Sequence, residues 1–517
     1  MTNDEVEYSD EGEGTSYLSS SETKSKLNVT NPFGSVDDNN KKVKTNILSL
    51  EKTTSTESSL TSSSQSAQAE SSNEVYGDFN GDGFDDLTVG VPGEDVGSVS
   101  DAGGVEVIYG SSSGLSATSA HADQFWTQDS TNIDDSAETS DGFGNSLAIG
   151  DFNGDGFDDL AIGVAGEDVG SIGIAGGVEV IYGSSSGLSA TLAHADQFWT
   201  QDSTNIDDSA EKSDLFGFSL SSGDFNADGK DDLAIGVPVE VVGSISIAGG
   251  VEVIYGSSSG LSATLAHADQ FWTQDSTNID NSAETGDNFG ISLTAADFNA
   301  DGKDDLAIGV ANEDLGSVIN VGGVEIIYGS SNGLSATLAH ADQFWTQENT
   351  DIDDSAEPSD QFGYSLATGD FNADGKDDLA IGVPFEDVGS ISGAGGVEVI
   401  YGSSNGLSAT LAHADQFWTQ ESPDIENHAQ SEAQFGFSLT ARDFNADGKD
   451  DLAIGVPFEN VGSVVDAVID AGGVAVIYGS TSGLSATLAH ADQFWSQDSP
   501  DIDGSAETGD FFSHSLG

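Results

Sequence analysis

Cysteine is absent from the 517 residues, which excludes disulfides and cysteine-based zinc sites while leaving the compartment open. Basic side chains are scarce: 12 Lys and Arg stand against 90 Asp and Glu, for a net charge of −78. Six of the twelve (Lys24, Lys26, Lys41, Lys42, Lys44 and Lys52) precede residue 75, so the rest of the chain is more acidic still. Such a surface repels a phosphate backbone, and nucleic acid is not an expected partner. The excess acid suits a salt-rich or calcium-rich medium, or serves solubility alone; composition does not separate the two. No apolar run reaches the 18 residues of a membrane span, and no long amphipathic helical pattern occurs. The start, MTNDEVEYSDEGEGTSY, has no basic region followed by an apolar stretch and is not a secretory signal peptide. GxSxG, HExxH and P-loop motifs are missing. His428 and His514, the histidines outside a recurring set, are isolated, so no catalytic site is expected. Proline is rare (8) and glycine abundant (65), as in short strands joined by tight turns.

What is present is a repeat. Residues 224–238 read DFNADGKDDLAIGVP, and near-copies begin at Asp78, Asp151, Asp224, Asp297, Asp370 and Asp443, spaced by 73 residues each time. Asp224, Asn226, Asp228 and Asp232 occupy positions 1, 3, 5 and 9 of a nine-residue loop, with Gly229 at position 6. A hard cation needs six or more oxygens, and short acidic or amide side chains on alternate residues of a tight turn converge on one ion. Glycine at position 6 permits the positive φ that wraps the loop. The alternative is a metal-free Asx-rich turn; recurrence of the whole donor set favours calcium, about one ion per repeat. The expected side-chain ligands are Asp78, Asn80, Asp82 and Asp86; Asp151, Asn153, Asp155 and Asp159; Asp224, Asn226, Asp228 and Asp232. The later copies supply Asp297, Asn299, Asp301 and Asp305; Asp370, Asn372, Asp374 and Asp378; Asp443, Asn445, Asp447 and Asp451. Position 7 (Phe84, Phe157, Lys230, Lys303, Lys376, Lys449) is assigned through its backbone carbonyl, its side chain being free to vary. The extra acid at position 8, such as Asp231, is expected to face solvent or cap the turn.

Around each loop the pattern reads as four antiparallel strands. In the second copy these are residues 143–149, the apolar 160–164, the β-branched 178–182 and the amphipathic 191–201. Strand two is apolar or small on both faces and is expected between two neighbouring sheets. Units that bury neither face alone, at a fixed period, pack radially into an all-β propeller; a linear solenoid is the runner-up. Six blades are favoured over a fragment of seven, with the C-terminal Phe512-Ser513-His514-Ser515-Leu516 completing a first blade that lacks this strand. Residues 1–73, rich in Ser and Thr, read as a disordered tail ahead of a propeller at 74–517.

Phe216-Gly217 before the loop, the DxNxDGxxD loop and Gly236-Val237-Pro238 after it resemble the FG-GAP repeat of integrin α N-terminal propellers and bacterial surface proteins. The resemblance covers about residues 75–517, without integrin-specific domains. It implies a calcium-stabilised adhesion or recognition module, extracellular or at a cell surface, with a protein or glycan partner. Apart from the resemblance, a monomeric chain without a membrane span is expected. A structural surface-array protein and the targeting propeller of a carbohydrate-active enzyme are the alternatives. The recurring His194, Asp196 and Trp199, with His121, Asp123 and Trp126, read first as packing of the fourth strand. A glycan site on each blade is the sharper reading.

Overall fold

The computed structural model describes residues 74–517 apart from 118–121, 192–194, 265–267, 280, 338–340, 351, 353, 411–412, 426, 463–466, 488–490, 501, 503 and 517. The expected tail at 1–73 lies outside the described residues, as do His121 and His194.

The described chain is an all-β, six-bladed propeller of four-stranded antiparallel blades. Blade 1 runs β1 (Glu74–Gly77), β2 (Asp86–Gly90), β3 (Val105–Ile108) and β4 (Gln124–Trp126), paired in that order. Blade 2 repeats it with Leu147–Gly150, Asp159–Val164, Gly177–Ile181 and Gln197–Trp199. In blades 3 to 6 the third strand is longer, as in Gly250–Ser257, and folds back on a short extra strand such as Gly260–Ser262 beside the fourth. First strands line a central channel of about 480 Å³ whose wall includes Tyr76, Ser221, Thr294, Thr368 and Arg442.

Strand two is buried along its whole length in blades 2 to 6, because apolar clusters cover both of its faces. Five of the clusters each span two neighbouring blades: Val105, Val107 and Tyr109 of blade 1, for example, pack with Leu160, Ile162 and Val164 of blade 2. Burial of about 25 cal/mol per Å² of apolar surface makes these joints the main source of cohesion.

Three expectations are corrected. The first strand begins at Leu147 rather than Phe143, because Phe143-Gly144 forms a turn in which Gly144 takes φ +88°. That turn locks onto the preceding blade through a parallel bridge, Gly176 to Phe216 in the next pair. Any Cβ on Gly176 would lie 2.3 Å from the Phe216 carbonyl oxygen, so glycine is required there. The fourth strand is only Gln197–Trp199, shorter than 191–201. Finally, blade 1 supplies its own first strand, Glu74–Gly77, which pairs with Asp86–Gly90. Phe512 bridges Gly472 of blade 6, as every other FG-turn phenylalanine bridges its preceding blade.

Candidate functional site

The six loops sit between first and second strands and share one geometry. In the third, Asp224 Oδ1 accepts the Asp228 N–H at 3.0 Å and Oδ2 accepts the Gly229 N–H at 2.8 Å, so position 1 organises the turn. Gly229 takes φ +83°, as the spacing predicts. Position 4 was not foreseen as a strained site: Ala227, Ala300, Ala373 and Ala446 adopt φ +55° to +59°, at a cost of about 1 kcal/mol or more each. Asn226 Nδ2 donates to Asp232 at 3.0 and 3.3 Å, and Asp232 Oδ1 accepts the Gly256 N–H of strand three at 2.8 Å. Position 9 thus ties the loop to the sheet.

Two features fit a cation. The amide oxygen at position 3 (Asn80, Asn153, Asn226, Asn299, Asn372, Asn445) is buried and has no hydrogen-bond partner in any of the six loops. The position-9 carboxylate is buried, and no ion pair among the described residues involves it. Burial, partly offset by its backbone N–H donors, pushes Asp159, Asp232, Asp305 and Asp378 up to about 8 and Asp86 up to about 6. An oxygen-only donor set of this kind suits a hard cation. The loops do not draw their carboxylates tightly together, however. Among the described residues, the acidic side chains whose ligand oxygens all lie within 4.8 Å of one another are Glu357, Asp360 and Glu386, outside any loop.

Positions 7 and 8 behave otherwise than expected. Lys230, Lys303, Lys376 and Lys449 each pair with the position-5 aspartate of their own loop at 2.8–3.0 Å. Position 7 also leans on the preceding blade, since a Cβ on Gly81 would lie 2.7 Å from the Phe157 ring. Its side chain is not free. Asp158 at position 8 neither faces solvent nor caps its own turn: its Oδ2 accepts the Asp78 N–H of the preceding blade at 2.8 Å. Asp231, Asp304, Asp377 and Asp450 repeat that contact at 2.8–3.2 Å. Asp85 pairs instead with Arg442, whose guanidinium also lies 5.2 Å from the Tyr76 ring centroid and so joins blade 6 to blade 1.

The FG-GAP repeat family matches residues 75–107, 143–180, 216–250, 289–324, 362–400 and 435–477. The chain is an FG-GAP repeat protein. Phosphatidylinositol-glycan-specific phospholipase D of Bos taurus is 32% identical over 202 residues, covering 39% of this chain and 22% of that protein. The Homo sapiens form is 33% identical over 183 residues, covering 35% and 20%. Integrin alpha-PS2 of Drosophila melanogaster is 29% identical over 283 residues, covering 53% and 17%. The chain therefore spans about a fifth of the length of the curated relatives it matches. No helix among the described residues is long and apolar enough to cross a membrane.

Within each FG-GAP unit the Trp set has a structural role. Trp199 packs against the cluster of Val178, Val180 and Phe216 between blades 2 and 3. Asp196 is buried and accepts the Asp134 N–H at 2.9 Å. The packing reading of the tryptophan is what the fold shows. Sequence reasoning missed a second acidic series, in which Gln128 donates to Glu167 at 2.8 Å across a blade joint. With 90 acidic residues, the signal available was the 73-residue recurrence of a glutamate after strand two, at Glu94, Glu167, Glu240, Glu313, Glu386 and Glu459.

Proposed function

We propose that this FG-GAP propeller is a calcium-stabilised, non-catalytic recognition module acting outside the cell or at its surface. The observation that carries the calcium reading is the partnerless asparagine oxygen buried beside an uncompensated carboxylate in all six loops. Positions 1, 3, 5 and 9, with the backbone carbonyl of position 7, would hold the ion. The ion supplies the positive charge that desolvated Asp232 and its counterparts lack, and clamps the hairpin of strands one and two. Its role is structural.

Similarity to integrin alpha chains supports recognition of a protein or glycan, carried on loops at the blade ends. Similarity to the phospholipase D proteins supports a second reading, a propeller that serves an attached enzyme. Calcium titration followed by thermal melting tests the metal. Each occupied loop adds about 2.7 kcal/mol when calcium is a hundredfold above its Kd, and a melting curve unchanged by chelator overturns calcium binding. Saturable, calcium-dependent capture of surface polysaccharides or proteins supports recognition. Bond cleavage in the captured material favours the enzyme reading.

A further inference from the structure

The third strand of every blade but the last carries a glutamate, at Glu106, Glu179, Glu252, Glu325 and Glu398, whereas blade 6 has Ala475. In blades 2 and 3 this residue is 1% and 0% exposed, set in register between Ile162 and Phe198 or between Ile235 and Phe271. Neither oxygen of Glu179 or Glu252 meets an N–H or hydroxyl donor. Each glutamate is hydrogen-bonded instead to a second buried acid, the aspartate just before the fourth strand: Asp196 in blade 2 and Asp269 in blade 3.

Two ionised carboxylates are both acceptors, so a hydrogen bond between them requires that one keep its proton. The backbone selects which. Asp196 Oδ2 accepts the Asp134 N–H at 2.9 Å and Asp269 Oδ2 accepts the Asp207 N–H at 2.8 Å, which favours the ionised aspartate and leaves the proton on the glutamate. The other groups facing the pairs have the wrong sign to replace it. They are Asp134, Asp135 and Tyr182 in blade 2, and Asp207, Asp208 and Tyr255 in blade 3. No ion pair among the described residues involves Glu179, Glu252, Asp196 or Asp269. His194 and His267, two residues before the aspartates, lie outside the described residues; their counterpart His413 rests against the Tyr401 ring, centroids 5.3 Å apart. Burial, followed by the charge of Asp269, pushes Glu252 up to about 10, and burial and Asp196 raise Glu179 in the same way.

We propose that each of these pairs is a proton clasp: one proton shared between Glu179 and Asp196, and one between Glu252 and Asp269, fastens the short fourth strand to the third, and its loss in alkaline solution loosens the outer edge of the blade. The clasp requires neither calcium in the loops nor the recognition reading. Blade 6, with Ala475 in place of the glutamate, has none. The folded state holds the proton to about pH 10 in blade 3, against 4.5 as the ordinary value, so the stabilisation is full at low pH and is lost as pH rises between those limits.

Urea denaturation of the full chain at pH 7, 8 and 9 tests this, with the parent, Glu252→Gln and Ala475→Glu side by side. Glu167 and Glu386 at the blade joints also hold protons in this range, so the clasp is read as a difference between variant and parent. The glutamine amide donates to Asp269 as the acid does and has no proton to lose. Glu252→Gln is therefore expected to fold and to lose stability less steeply, by about tenfold in the unfolding constant per pH unit. Ala475→Glu, which writes the missing acid into blade 6, is expected to steepen the fall by up to about the same factor. Parallel profiles for the parent and Glu252→Gln overturn the clasp. If Glu252→Gln does not fold, a profile of Ala475→Glu parallel to the parent's overturns it equally.

Discussion

Five joints of the ring are built alike and the sixth is not. Tyr109, Tyr182, Tyr255, Tyr328 and Tyr401 each reach into the next blade, where the hydroxyl accepts a leucine N–H at 3.1–3.2 Å. Leu188, at such a joint, is 2% exposed, whereas its counterpart Leu115, on the blade 1 side of the closing joint, is 49% exposed. Residue 442 shows the physical reason. Its counterparts are Gly77, Gly150, Gly223, Ala296 and Gly369, and a Cβ on Gly150 would lie 2.7 Å from Asp231 of the next blade. The five joints bring position 8 of one loop so close that only a small residue fits beneath it. At the closing joint that approach is missing and Arg442, the single arginine of the chain, fills the space. A repeat encodes its contact with the next repeat; closing a ring takes residues that do not repeat.

The largest contrast lies at position 2 of the loops. Phe371 is 0% exposed between blades 5 and 6, and Phe444 is 47% exposed at the closing joint. Phe371→Ala is expected to cost about 3–5 kcal/mol through lost burial and a cavity. Phe444→Ala is expected to cost under about 1 kcal/mol. Urea midpoints of the two variants check this, and similar losses would mean that the closing joint is as well packed as the others.

Local spacing was readable in the sequence; contacts across blades were not. The 73-residue period, the glycine at position 6 and the two-faced strand two follow from residues near one another in the chain, and the fold agrees with each. Asp158 and Phe157 were misjudged because their partners, Asp78 and Gly81, lie in another repeat. Repeat periodicity says that such contacts exist without saying which residues make them. Glu167 and Gln128 were passed over for a related reason: among 90 acidic residues, a carboxylate is notable only once its burial is known. The strand expected at the C-terminus failed because FG pairs were read as strand when their role is to turn.

Acidity distinguishes the joints next. In calcium-free protein, Asp159, Asp232, Asp305 and Asp378 hold a proton up to about pH 8 when folded, against 3.8 as the ordinary value. Between those limits the folded state binds more protons than the unfolded state, so stability falls as pH rises from about 4 to about 8. Asp86, in the loop of the closing joint, contributes to the fall only up to about pH 6. Asp232→Asn is therefore expected to flatten the pH dependence between 6 and 8, and Asp86→Asn to leave that range unchanged. Denaturation of both calcium-free variants at pH 6, 7 and 8 decides it, and equal slopes in the two would remove the distinction.

The smallest contrast concerns the loop-to-loop contacts themselves. Asp158 accepts a backbone N–H at 2.8 Å in a half-buried setting, and Asp158→Ala leaves that donor without its acceptor, at about 1–3 kcal/mol. Asp85 and Arg442 form an exposed pair, with side chains more than half accessible, so Arg442→Ala is expected to cost less than about 1 kcal/mol. Salt separates the two further. Screening acts on the exposed pair, so the loss in Arg442→Ala should shrink as ionic strength rises, whereas the loss in Asp158→Ala should persist. A salt-independent loss of several kcal/mol on removing Arg442 would instead make that single arginine the main closure of the ring, and the apolar contacts of the sixth joint secondary to it.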